Sequence, residues 1–127
     1  MQNNFHGKRV LVVEDDYLIA TEIADFLEAA NAVVLGPCSN LEDAGMYVVH
    51  CELAILDVAI RGRTSFALAD QLIRLDVPYV FFTGYDRALL PRRFSGIKVI
   101  TKPVPPDVVV ERLEVASRKA GSIDVVE

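Results

Sequence analysis

The feature that most constrains this chain is an alternation. Short, nearly unbroken runs of Val, Ile and Leu are each followed by a longer stretch whose apolar residues recur every three or four positions. The runs suit strands buried on both faces, and the longer stretches suit helices with one apolar stripe. Five such pairs can be counted, which predicts an α/β protein, a doubly wound (βα)5 fold with a central parallel sheet and helices on both faces.

The first run, Arg9 to Val13, ends on acids and leads to a stripe at Ile19, Ile23, Phe26, Leu27 and Ala30, with Asp16 as the helix cap. Ala32 to Leu35 is a second strand, closed by Gly36-Pro37 and followed by a weaker helix marked by Leu41, Ala44, Gly45 and Val48. Leu53 to Asp57 is the third strand. A polar loop, Arg61-Gly62-Arg63, then precedes the stripe Leu68, Ala69, Leu72 and Leu75. Pro78 to Phe82 and Ile97 to Ile100 complete the strands. Pro91 sits between them, so any helix over Asp86 to Phe94 should be short or mobile, because an interior proline costs about 3 kcal/mol or more. A last helix begins after Pro105-Pro106, carries Val109, Leu113 and Ala116 on one face, and gives way to a short tail over 120–127.

With 127 residues the sequence predicts one domain, its core over about 8–119, and no output domain. Thirteen basic and 18 acidic residues leave a net charge of −5, the wrong sign for a broad phosphate-binding patch, so no nucleic acid partner is expected. No apolar run approaches the roughly 18 residues of a membrane span, and the polar start, Met1 to Lys8, has no signal-peptide core. The expected location is cytoplasmic, without membrane insertion. Cys38 and Cys51 lack metal-site spacing and read as ordinary thiols, while His6 and His50 read as incidental.

In an open parallel sheet, ligands bind at the carboxyl ends of the strands. Those ends carry Glu14-Asp15-Asp16, Asp57, Thr83-Gly84-Tyr85 and Thr101-Lys102-Pro103. Gathered carboxylates repel one another unless a cation compensates, and an all-oxygen donor set suits Mg2+. Asp57 then reads as a nucleophile toward a phosphoryl group whose oxygens Lys102 and Thr83 would hold. Asp16 reads as a cap rather than a ligand, Thr101 as strand filler, and Arg92-Arg93 as a solvated pair or part of a partner face.

The motifs Val12-Val13-Glu14-Asp15-Asp16, Ile55-Leu56-Asp57, Phe82-Thr83-Gly84 and Lys102-Pro103, in that order over residues 8–119, resemble the CheY-like receiver domain of bacterial response regulators. The resemblance implies a flavodoxin-like sheet of order 2-1-3-4-5, with Asp57 as phosphoacceptor and Asp15 as a direct Mg2+ ligand. It further implies Glu14 as a ligand through water, the Ala59 backbone carbonyl as another ligand, Thr83 as the switch hydroxyl and Lys102 as the phosphate-binding lysine. The implied donor is a sensor histidine kinase or a histidine phosphotransfer protein, with signalling by altered protein binding. The protein would not be an enzyme beyond self-catalysed phosphotransfer and slow loss of the phosphoryl group.

Three departures from the family pattern stand out. Val99 stands where an aromatic switch residue is usual, and Arg61-Gly62 replaces the familiar Pro-Gly. Phe81-Phe82-Thr83-Gly84-Tyr85 resembles a subgroup with a Phe-Ala-Thr-Gly signature, often stand-alone, which makes Tyr85 a candidate substitute switch. The competing reading is a pseudo-receiver that only binds protein. Nucleotide binding lacks its glycine-rich turn, and a haloacid-dehalogenase type of phosphatase would want an acid where Ala59 stands.

Overall fold

A computed structural model of the chain describes residues 5–126, with side chains through Lys119. Five parallel strands, β1 (Arg9–Val13), β2 (Val33–Cys38), β3 (Leu53–Leu56), β6 (Tyr79–Thr83) and β7 (Lys98–Thr101), form a sheet in the order β2-β1-β3-β6-β7. Counted along the sheet's own strands this is the expected 2-1-3-4-5. Between β3 and β6 lies a small antiparallel hairpin, β4 (Ala59–Ile60) and β5 (Arg63–Thr64). The helices are α1 (Tyr17–Ala29), α2 (Leu41–Tyr47), α3 (Phe66–Arg74) and α4 (Pro106–Val126).

Side chains alternate across each strand, so the sheet has two apolar layers. Val10, Val12, Ile55, Val80 and Phe82 pack with Ile23 and Leu27 of α1 and with Val109 and Leu113 of α4. Leu11, Val13, Leu56, Phe81 and Val99 pack on the opposite face with Ala44, Leu68, Ala69 and Leu72. Asp16 caps α1, its carboxylate accepting from the Ile19 N–H at 3.1 Å, as the sequence predicts.

Several expectations are corrected. Phe26 and Leu75 are 44% and 48% exposed: Phe26 lies off the buried stripe of α1, and Leu75 lies beyond the last turn of α3. β2 does not stop at Leu35 but runs through Gly36-Pro37 to Cys38, with an irregularity in its pairing to β1. Gly36 makes this possible, because it holds φ +95° and a Cβ there would lie 2.6 Å from the Cys38 nitrogen. Of the polar loop at 61–63, Arg61 at φ +51° and Gly62 at φ +77° form the turn of the β4–β5 hairpin, and Arg63 begins β5. Gly121, read as the start of a tail, lies within α4, and of that tail only Glu127 falls outside the described residues. Met1 to Asn4 of the polar start also fall outside them, but Phe5 is buried in the α1/α4 layer, so the core begins before residue 8.

The fourth connection differs from the others. Between β6 and β7 there is no α-helix, only two 3-10 turns, Arg87–Leu89 and Arg92–Phe94, separated at Pro91. The expectation of a short helix at most is met, for the reason proline gives. Phe94 secures the segment: it is buried and packs against Phe66 and Phe81 with ring centroids 5.4 and 5.6 Å apart.

Candidate functional site

β1 and β3 are central strands whose buried backbones end together at the carboxyl edge, in register from Val10–Leu53 to Val13–Leu56. The next residues leave the sheet side by side, and the Asp57 N–H donates to the Val13 carbonyl at 2.9 Å. This places Glu14, Asp15 and Asp57 together, each with a carboxylate oxygen within 4.8 Å of the others. Glu14 and Asp57 are buried, at 3% and 6% exposure, whereas Asp15 is exposed.

Lys102 enters from the end of β7, where its N–H donates to the Thr83 carbonyl at 2.9 Å. Its ammonium lies 2.8 Å from Asp57 Oδ2 and 2.9 Å from Glu14 Oε1. Burial raises the pKa of Glu14, and the neighbouring Asp57 adds to the rise against the lowering contacts of Lys102 and the Asp16 N–H. Desolvation pulls the Lys102 ammonium down, but its hydrogen bonds and charge contacts with Asp57 and Glu14 outweigh that and hold it above its ordinary value. Thr83 is buried, and its Oγ1 accepts from the Tyr85 N–H at 3.0 Å, leaving the hydroxyl hydrogen available.

The predicted residues Glu14, Asp15, Asp57, Thr83 and Lys102 thus converge on one edge. Ala59 lies next to them, its N–H 3.3 Å from Asp57 Oδ1 and its chain paired with Thr64 in the hairpin. The donor set fits Mg2+: three carboxylates, two of them buried, no sulfur or imidazole, and a negative charge that exceeds the one ammonium the cluster holds.

Two contributors escaped sequence reasoning. Ser65 is fully buried, and its hydroxyl donates to the Asp57 backbone carbonyl at 2.7 Å, fixing the chain on which the aspartate stands. Its only signal was a serine ahead of an apolar stripe. The Arg61 N–H donates to Asp15 Oδ2 at 2.8 Å. The departure at Arg61-Gly62 marked the position but not the contact.

Val99 is buried in β7 opposite Phe81 and makes no aromatic contact with the site. Tyr85 is half-buried, packed edge-on against Phe66 at 6.3 Å. His6 and His50 are exposed and apart from the site. Cys38 and Cys51 are buried free thiols whose pKa values burial pushes up to about 11. A groove of about 670 Å3 lies elsewhere, between α4, the start of β7 and the end of α3, and includes none of the carboxylates of the cluster. No described helix is long and apolar enough to cross a membrane.

The doubly wound sheet thus carries an acidic cluster and a lysine at its carboxyl edge. The chain is 32% identical to SdrG from Sphingomonas melonis Fr1, covering 93% of this chain and 99% of that one, with a TM-score of 0.74. A BeF3-activated conformation of SdrG, from Pseudomonas melonis Fr1, matches at 34% identity over 85% of this chain and 93% of that one, with a TM-score of 0.68. The CheY-like receiver domain protein from Methanospirillum hungatei JF-1 shares the fold at 20% identity, 91% and 98% coverage and a TM-score of 0.75. No family profile and no curated protein matches the chain. The chain belongs to the response-regulator receiver domains.

Proposed function

We propose that this receiver accepts a phosphoryl group on Asp57 from a phosphohistidine, in a Mg2+-dependent reaction, and signals by a change in protein binding. The observation that carries the reading is the Lys102 ammonium bridging Glu14 and Asp57 beside a buried threonine hydroxyl. An Asp57 oxygen attacks phosphorus, the bond from phosphorus to the donor's imidazole nitrogen breaks, and that nitrogen leaves with the bonding electrons and takes up a proton. Glu14, Asp15, Asp57 and the Ala59 carbonyl would hold Mg2+, which supplies charge neutralisation for the phosphoryl oxygens.

Lys102 trades Asp57 Oδ2 for a phosphoryl oxygen, and Thr83 donates its hydroxyl hydrogen to another. Because Thr83 Oγ1 already holds the Tyr85 N–H, that movement draws on the segment after β6. Tyr85, whose ring packs edge-on against Phe66, is the candidate substitute for the missing aromatic at position 99, and the region around residues 84–100 is the one that changes. The sequence run Phe81-Phe82-Thr83-Gly84-Tyr85 is what supports assignment to the Phe-Ala-Thr-Gly subgroup. Tyr17 and Leu18, 78% and 71% exposed beside the acids, supply an apolar surface on which a kinase or phosphotransfer protein can seat. Ala59 offers no polar group to orient an attacking water, so the aspartyl phosphate should be long-lived.

The test is transfer from a phosphorylated histidine kinase domain to this chain, with Mg2+ and with a chelator. Label that moves only with Mg2+ supports the reading. A chain that binds neither Mg2+ nor phosphoryl group is a pseudo-receiver.

A further inference from the structure

The three carboxylates of the cluster are not fixed in the same way. Glu14 is held by Lys102 and by the Asp16 N–H at 3.1 Å, and Asp57 by Lys102 and the Ala59 N–H. Both are buried. Asp15 is exposed, and among the described residues the one hydrogen bond to its side chain comes from the Arg61 N–H, at the tip of the β4–β5 hairpin.

That N–H is aimed by an unusual residue. Arg61 holds φ +51°, a left-handed conformation in which glycine would be less strained than arginine. Its side chain ties the tip to the chain after β2: Nε donates to the Ser39 carbonyl at 2.8 Å and Nη2 lies 3.3 Å from Ser39 Oγ. On the other hairpin strand, Arg63 Nη1 pairs with Glu42 Oε2 of α2 at 2.6 Å. The turn therefore joins the loops that follow β1, β2 and β3.

We infer that the Arg61–Gly62 turn is a clamp that presets Asp15 for the cation, with Arg61 as a positioning residue. This rests on the Mg2+ site of the proposed function. An exposed carboxylate that must be ordered by its ligand binds more weakly than one ordered beforehand, by the cost of immobilising one side chain. The N–H on one oxygen leaves the other free to ligate.

The test compares the wild type with Arg61→Gly and Arg61→Lys, by calorimetric Mg2+ titration and by NMR couplings that report the Asp15 χ1 rotamer in metal-free protein. Glycine suits φ +51°, so Arg61→Gly should fold. Removing a positive charge near the carboxylates would by itself tighten Mg2+ binding, so weaker binding isolates the lost positioning. The clamp predicts a Kd roughly 3- to 10-fold higher in Arg61→Gly, a rise also in the charge-conserving Arg61→Lys, and an Asp15 rotamer that becomes averaged. A Kd that is unchanged or lower in Arg61→Gly overturns it, and so does an unaltered Asp15 rotamer. If the wild type binds no Mg2+, the proposed function fails, and the rotamer comparison still decides whether the turn holds Asp15.

Discussion

The carboxyl ends of β1 and β3 and the connection from β6 to β7 stand at opposite extremes of organisation. At the first, central strands in register set down buried acids, and a lysine and backbone N–H groups hold them. At the second, the helix expected of a βα unit is replaced by two short turns, secured by one buried ring, Phe94, and by an exposed Arg93–Asp70 pair. Leu89 in this segment is 65% exposed. The difference teaches where rigidity is needed. Chemistry on a phosphoryl group requires groups positioned in advance, whereas a segment that changes in a signal is drawn from parts held by few contacts.

The largest test of this contrast is Phe94→Ala. Losing that ring from between Phe66 and Phe81 should lower unfolding free energy by about 3–5 kcal/mol in urea denaturation. It should leave Mg2+ affinity nearly intact if the two regions are separable. Next is Lys102→Ala, which strands Glu14 and Asp57 without a counter-charge. Lys102 is partly exposed, so solvent screens part of the loss, and a cost of about 2 kcal/mol at neutral pH is expected. Saturating Mg2+ should recover part of it.

A pH titration of metal-free wild type sharpens the same point. Glu14 titrates above its ordinary value of 4.5 in the folded state, so the folded protein holds more protons than the unfolded one there. From this group, stability is fully present below 4.5 and is lost as pH rises through the raised folded value. Mg2+ should flatten that loss. Thr83→Ala removes the acceptor of the Tyr85 N–H and should cost about 1 kcal/mol. Its sharper effect should be on signalling: Mg2+ binding persists, while the NMR shifts that phosphorylation causes over 84–100 shrink. The smallest effect is expected of Arg93→Lys. It should barely move the melting temperature yet speed amide exchange at 92–95, because the pair with Asp70 is two-pronged and lysine cannot reproduce it.

How much of this was legible in the sequence follows from what each feature depends on. The strands, their alternation and the acids that end them are local patterns, and the register of a parallel sheet brings those ends together, so Glu14, Asp15, Asp57, Thr83 and Lys102 could all be placed. Pro91 announced the missing helix. The hairpin could not be read from Arg61-Gly62-Arg63, because a two-residue turn between two-residue strands leaves no periodicity. Ser65 and Arg61 reach the site through a backbone carbonyl and a backbone N–H, contacts to which side-chain patterns are blind. Phe5 was hidden in a polar stretch, and Phe26 shows that helical spacing identifies a stripe more securely than its edges.

The most direct measurement is the intact mass of the protein after incubation with acetyl phosphate, with and without Mg2+, for the wild type and for Asp57→Asn. One added phosphoryl group on the wild type, dependent on Mg2+ and absent from Asp57→Asn, is the predicted result. An unmodified wild type, or equal modification of Asp57→Asn, would contradict the assignment of Asp57 as phosphoacceptor.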